Sequence, residues 1–262
     1  CAVRSRTLRY TGKQNFIGIN MPFYQKRGIT PDKRHIQFRD ENGNLYWEEL
    51  ISREGFSWIY SNVYHKNPPT AVHKVGEFNP LKLEAWTETH RHHHLTTHSL
   101  DSKGDAISAR VPLFFNSDCV LYKAHVSASM NDYYRNGHHD EIIFIHSGSG
   151  LLKTNLGQLN VAAGDYVVIP RGVIWQLDVE ENMKHFIIET SGPVETPSRY
   201  RNRHGQLLEH SPYSERDIRT PDFVDPQTDG PMNVLVRLNS GYQMYAYTTH
   251  PCDLVGWDGY YF

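Results

Sequence analysis

Between residues 141 and 190 the runs EIIFIH, GLLKTNL, GQLNV, DYVVIP, VIWQLDV and HFIIET follow one another, separated by turn signals at residues 147–150, 157 and 163–165. Short stretches of β-branched and aromatic residues bounded by Gly, Asn, Asp and Ser pair as antiparallel strands. Helical periodicity is scarce in the rest of the chain. Further strand candidates are NLYWEEL (44–50), SWIYSNVYH (57–65), TAVHKVGEF (70–78), ISARVPLFF (107–115), DCVLYKAHV (118–126), NVLVRL (233–238) and YQMYAYTT (242–249). The expected class is therefore mainly β.

Composition narrows the function classes. Lys+Arg 27 against Asp+Glu 29 gives a formal charge of -2, and no basic stripe is dense enough to track phosphates, so nucleic acid is not an expected partner. Cys1, Cys119 and Cys252 are too far apart for a disulfide framework or a zinc knuckle, which fits a reducing, cytoplasmic setting. Apolar runs are of strand length, so no membrane span is expected. Residues 1–20 start with Cys and lack the apolar block of a secretory signal; they read as a non-native or disordered leader, with Met21 as the better first residue.

The chain then divides into residues 21–191, a β domain; residues 192–231, an irregular connector broken by prolines 193, 197, 212, 221, 226 and 231; and residues 232–262, which open a second β domain. Connectors of that length are usually functional or joining segments. The chain stops inside VGWDGYYF (255–262), which reads either as a terminal strand docked in a sheet or as a sequence cut before its next domain.

Two blocks carry a more specific pattern. Glu141 precedes Gly148, and Gly164 precedes Pro170, Arg171 and Gly172 in GDYVVIPRGVIW (164–175). They resemble the paired motifs of the cupin superfamily, jelly-roll barrels whose metal ligands point into the lumen. A mononuclear iron that takes up substrate and oxygen needs two imidazoles and one carboxylate on one face. In cupins the first-motif histidines would stand at Arg135 and Gly137, or at Tyr134 and Asn136, and the last at Trp175; none is a ligand here. Period-2 reading puts Val173, Trp175, Leu177 and Val179 on the apolar face and Gln176, Asp178 and Glu180 on the wet one. An indole there fills about 200 Å² of lumen surface. The barrel reads as packed rather than metallated.

Other candidates are weighed on geometry. His138, His139 and His146 with Glu141 could form an irregular site, but adjacent strand residues face opposite ways, so His138 and His139 need a bulge to share an ion. THRHHHLTTH (89–98) is histidine-rich, with Glu88 the nearest carboxylate, and reads as a solvated loop or strand edge. HSGSG (146–150) reads as a hairpin turn rather than a phosphate cradle. No nucleophile elbow, P-loop or dinucleotide fingerprint occurs.

MPFYQKRGITPDKRHIQFR, GFSWIYSNVYHKNPPTAV, RVPLFFNSDC, YRNGHHDEIIFIHSGSGLLKTNLG, GDYVVIPRGVIWQLD, PSRYRNRHGQLLEHSPYSERDIRTP and HPCDLVGWDGYYF are similar, in order, to blocks of the bacterial homogentisate 1,2-dioxygenase family. That resemblance implies a two-barrel cupin enzyme in which non-haem Fe(II) and O2 open the ring of homogentisate to maleylacetoacetate, in tyrosine and phenylalanine catabolism. It implies a homo-oligomer. It also implies that the first barrel is a degenerate, metal-free copy and that the iron ligands lie downstream of Phe262. No iron ligand, catalytic residue or substrate contact is therefore assigned within this chain. A metal-free cupin serving as a ligand-binding or assembly module is the alternative. His250, Arg199, Arg201 and Arg203 could reach a neighbouring catalytic site, or could simply form surface contacts.

Overall fold

The computed structural model describes residues 24–34, 36–52, 60–100, 103–203, 206–213, 217–227 and 230–260. The expected leader, Met21, residues 57–59 of one strand candidate and residues 261–262 lie outside them. Among the described residues there is no α-helix; a 3-10 turn spans Ser198–Tyr200, and no helix is long and apolar enough to cross a membrane.

Among the described residues the strands begin with β1 (Tyr24–Gly28), β2 (Trp47–Ser52), β3 (Tyr60–His65), β4 (Val72–Pro80) and β5 (Arg110–Phe115). Then come β6 (Cys119–Val126), β7 (Tyr133–Asn136), β8 (Asp140–Thr154), β9 (Gly157–Ala162), β10 (Tyr166–Ile169) and β11 (Ile174–Thr190). After the connector follow β12 (Met232–Leu238), β13 (Gly241–Tyr247) and β14 (Leu254–Tyr260).

The long antiparallel pair β8/β11 organises the rest, running from Trp175 opposite Thr154 to Thr190 opposite Asp140. Residues 147–150 do not reverse the chain as expected; they lie within β8, and VIWQLDV and HFIIET are likewise one strand. The physical reason is a paired bend. Gly148 sits at φ 85°, and opposite it the register shifts between Val179 and His185, so both strands turn together without ending. On one side of the bend β8 continues to β9, while β11 continues to β7, β12, β13 and β4. On the other side β8 continues to β10 and β11 to β6 and β5. Pro112 is accommodated because β5 pairs only with β6, leaving an edge that needs no donor.

The result is a cupin-type jelly roll whose sheets share two bent strands and are not closed into a hydrogen-bonded ring. Val120, Tyr122, Ala124 and Val126 of β6, Ile143 and Ile145 of β8, and Trp175, Leu177, Met183 and Ile187 of β11 fill one core at alternate positions. Ile174, on the opposite side of β11, packs in a second cluster with Tyr133, Val234, Val236 and Tyr247. The face expected to be wet is thus partly covered, and Gln176 is buried as well.

The described part of the connector is pinned to the barrel at several points. Gln158 and Asp222 exchange both backbone hydrogen bonds at 2.8 Å, Arg219 donates to Asn160 O at 2.9 Å, and Val194 N donates to Asp140 at 2.9 Å. Beyond the connector, β12 pairs in parallel with β7, and β13 pairs with β4. β14 lies between β1 and β3 in a separate sheet of order β1-β14-β3-β2. Residues 232–260 therefore extend sheets already begun by the N-terminal strands. β1 and β7 were not legible as strands; β7 is four residues long and flanked by Asp, Asn and Gly.

A Cβ added at Gly148 would stand 2.3 Å from Asn182 O, whereas at Gly164, also at positive φ, it would meet nothing within 4 Å. Gly164→Ala is expected to cost about 1 kcal/mol, the left-handed backbone penalty alone, and Gly148→Ala roughly 1–3 kcal/mol more from overpacking. Urea midpoints of the two variants check this; equal losses would show that Gly148 does not hold the bend.

Candidate functional site

Pairing of Tyr134 with Trp175 across β7 and β11 turns alternate residues of β7 inward. Tyr134 and Asn136 are buried, and Arg135 faces away from them. Two of the motif positions, Tyr134 and Asn136, then converge on the motif carboxylate. Glu141 is fully buried, and its Oε1 accepts hydrogen bonds from the Tyr134 hydroxyl at 2.7 Å and from Asn136 Nδ2 at 3.0 Å. The Trp175 ring packs edge-on to Tyr134 at 5.3 Å between centroids. The inward direction read for Trp175 from periodicity is the one it takes, at 1% exposure.

A cation completes the cluster. Arg110, at the start of β5, donates from Nη1 to Glu141 Oε1 at 3.0 Å and from Nη2 to Oε2 at 3.1 Å. Nη1 also reaches Glu189 Oε1 at 3.1 Å, and Nε donates to Ala106 O at 3.0 Å. The guanidinium lies 5.3 Å from the Tyr134 ring centre and 5.8 Å from that of Tyr122. Glu189 Oε2 takes further bonds from Tyr122 and from the buried Arg237, each at 3.2 Å. Two guanidinium groups thus offset two carboxylates inside the barrel.

Burial alone would raise the Glu141 carboxyl, but the Arg110 charge and the donors from Arg110, Asn136 and Tyr134 hold it below its ordinary range. Glu189 moves the other way, pushed up by burial and by the Glu141 charge. Burial and then the Glu141 charge also raise the Tyr134 phenol, which keeps it a donor. Nearby, His185 is buried with neither ring nitrogen bonded to protein, as is Trp175 Nε1. Burial, followed by the Arg110 and Lys123 charges, lowers His185 to about 4, so it is neutral at physiological pH.

These residues do not fit an iron ion. The motif positions offer a phenol, a carboxamide, an indole and one carboxylate, and that carboxylate is already chelated by Arg110. Among the described residues no group of three or more His, Cys, Asp or Glu could hold a metal ion. His138 and His146 are exposed while His139 is buried; the rings of His138 and His139 stand 6.5 Å apart, and the Asp140 start of β8 separates them from His146. Residues 89–98 form exposed coil, with His93 stacked edge-on to Trp86 at 5.2 Å. Arg199 covers the Tyr200 ring at 4.8 Å and Arg201 makes an exposed pair with Glu195 at 3.4 Å. Arg203 is exposed. His250 is buried, and its Nδ1 accepts from Cys252 N at 3.0 Å.

A recess lined by Glu49, His65, Arg135, His250 and Asp253 lies on the other side of β7. His65 Nδ1 stands 2.6 Å from Asp253 and Nε2 3.2 Å from Glu49, so both nitrogens must donate and the ring is a cation. Burial opposes that charge, but the Asp253 and Glu49 hydrogen bonds outweigh it and raise His65 to about 9.

Arg110, Glu189, Arg237 and His65 were missed from the sequence. A signal for Glu189 existed: in HFIIET the period-2 face of Ile187 carries Glu189 inward toward Glu141, and two inward carboxylates require an inward cation. Nothing local says that Arg110 supplies it, because its partners lie 31 and 79 residues away.

The family description "Homogentisate 1,2-dioxygenase N-terminal" matches residues 77–262. A Saccharolobus solfataricus protein named "Putative dioxygenase" is 38% identical over 242 residues, 92% of this chain and 62% of that protein. The homogentisate 1,2-dioxygenase of Rhizobium meliloti is 26% identical over 62% of this chain and 34% of its own length, and that of Legionella pneumophila 24% over 78% and 49%. The chain therefore spans less than two thirds of these relatives. Among solved structures, a cupin protein from Bacteroides fragilis is 18% identical, covers 42% of this chain and 92% of its own, and has a TM-score of 0.33. A cupin-2 domain protein from Shewanella frigidimarina is 21% identical over 31% of this chain and 78% of its own, with a TM-score of 0.29.

Arg110→Met strands Glu141 and is expected to cost about 3–5 kcal/mol, the usual loss when one partner of a buried pair is removed; Arg110→Lys should recover little, since an ammonium cannot make the paired bonds. Urea unfolding checks both, and a loss under about 1 kcal/mol would be that of a surface pair. For His65 the folded value is raised to about 9 from an ordinary value of about 6.5. Its stabilisation is complete below about 6.5 and disappears as pH rises through about 9. Wild-type stability should fall across that window relative to His65→Asn, and parallel pH profiles would contradict the ion triad.

Proposed function

The chain belongs to the homogentisate 1,2-dioxygenase N-terminal family, and from that premise we propose that it is the metal-free barrel of an Fe(II)- and O2-dependent dioxygenase that opens the ring of homogentisate. The observation that carries this reading is the capture of Glu141, at the cupin glutamate position, by Arg110. A barrel whose motif carboxylate is committed to a guanidinium supports structure rather than oxygen chemistry. The relatives' additional length leaves room for a second barrel that supplies two histidines and a carboxylate for iron.

On this reading residues 21–191 are the degenerate barrel and residues 192–231 the strap that binds its surface. Residues 232–262 then carry the chain toward the catalytic barrel while completing the first one's sheets. The partners are a small aromatic acid, O2 and further copies of the chain, in the cytoplasm. What this chain's own residues contribute is a rigid, water-excluding wall built on the Arg110 cluster.

The test compares the 262-residue chain with the same protein extended by a second barrel, by oxygen uptake with homogentisate and by elemental analysis for iron. The expected outcome is no uptake and no stoichiometric iron for the chain, and both for the extended protein. Stoichiometric iron with uptake by the chain alone would overturn the metal-free assignment. An extended protein without uptake would favour the other class of function, a ligand-binding or assembly module.

A further inference from the structure

The recess beyond β7 holds two poles of charge that do not meet. Arg135 alternates with the inward Tyr134 and Asn136, so its side chain leaves the opposite face of β7. Its register partners are Ile174 and Val236, both in the second apolar cluster. Arg135 is half-buried, and its guanidinium has no hydrogen bond, ion pair or ring contact among the described residues. A cation held over apolar groups is ordinarily paired. Asn155 lines the same recess; its Oδ1 accepts from Ile174 N at 3.2 Å, and its Nδ2 has no partner among the described residues.

The other pole is the His65 group. One imidazolium stands between two carboxylates, Asp253 at 2.6 Å and Glu49 at 3.2 Å, which leaves one negative charge in excess. Asp253 Oδ2 is taken by Asn67. Glu49 bonds His65 through Oε2 alone, and its side chain is 37% exposed. Glu49 and Arg135 line one recess without pairing with each other, and Pro68, Pro69 and Pro251 supply apolar lining. The enclosed volume is about 20 Å³, more than the ~10–15 Å³ that one water needs. It therefore admits a small head group and leaves the rest of a ligand in solvent.

We propose that this recess binds the head of a free α-amino acid, its carboxylate on Arg135 and Asn155 and its ammonium on Glu49, with the side chain along the prolines. The two poles select the class. A ligand with a carboxylate alone would bring a further anion against the excess charge of the His65 group, and one with an ammonium alone would face the guanidinium. A zwitterion meets each pole with the opposite sign and adds no net charge to a partly enclosed site. Both ends then make charge-assisted hydrogen bonds, and Arg135 offers the paired geometry that a carboxylate fits. The site lies across β7 from the Arg110 cluster.

Saturation-transfer NMR of the 262-residue chain with L-leucine tests this, with isocaproate and isoamylamine as the analogues lacking the ammonium and the carboxylate. Far-UV circular dichroism is the fold control, and the protein extended by a second barrel takes the chain's place if the chain alone is unfolded. L-leucine should bind saturably, and each analogue at least about tenfold more weakly, the loss of one charge-assisted hydrogen bond. Arg135→Gln, which removes no side-chain contact among the described residues, should abolish binding; Arg135→Lys should retain part of it. Glu49→Gln should weaken binding by about tenfold. L-leucine that shows no saturable binding overturns the proposal, as does binding that Arg135→Gln leaves unchanged. Isocaproate binding as tightly as L-leucine overturns it too, since the site would then take a plain carboxylate.

Discussion

The bidentate grip of Arg110 on Glu141 is the constraint from which the rest of the barrel follows. An unpaired carboxylate in an apolar lumen is costly enough that it must be neutralised or chelated. In a cupin that holds iron the metal does this. Here a guanidinium does it, arriving from β5, and its spare donor reaches Glu189. Tyr134 and Asn136, which stand where imidazoles would, have become donors to the carboxylate instead of ligands to a cation. Trp175 closes the remaining space. Arg110, Tyr134 and Asn136 thus answer one electrostatic requirement, so single reversions toward a metal ligand meet a lumen already balanced in charge.

That balance needs both sheets at once. Arg110 stands on the β5-β6 side of the bend, and Tyr134, Asn136 and Trp175 on the β7 side; Glu141 and Glu189 sit on the shared strands. The bend at Gly148 and its facing bulges bring the two sides over one another. Local backbone permissiveness at one glycine therefore underlies a contact between residues 31 apart in sequence.

The β class, most strand positions, the motif glutamate and glycines, and the inward indole were legible because they rest on periodicity and local spacing. Membership of the dioxygenase family was legible from irregular loop sequence as well. The fate of residues 147–150 was not, since a glycine-rich stretch bends a strand as readily as it reverses one, and the choice depends on whether the facing strand bulges too. The placement of residues 232–260 in existing sheets was hidden for a similar reason: pairing with β4, β7, β1 and β3 is long-range. Arg110 looked like one polar residue in an apolar run, and only the fold reveals what it faces. His65 shows the same limit, its partner Asp253 being 188 residues away.

Crystals grown with excess Fe(II) and measured at the iron absorption edge address the cation substitution most directly. Continuous density for the Arg110 guanidinium against Glu141, with no anomalous peak in the barrel, is the predicted result. An anomalous peak at about 2.0–2.2 Å from a Glu141 oxygen, with Arg110 displaced, would contradict it.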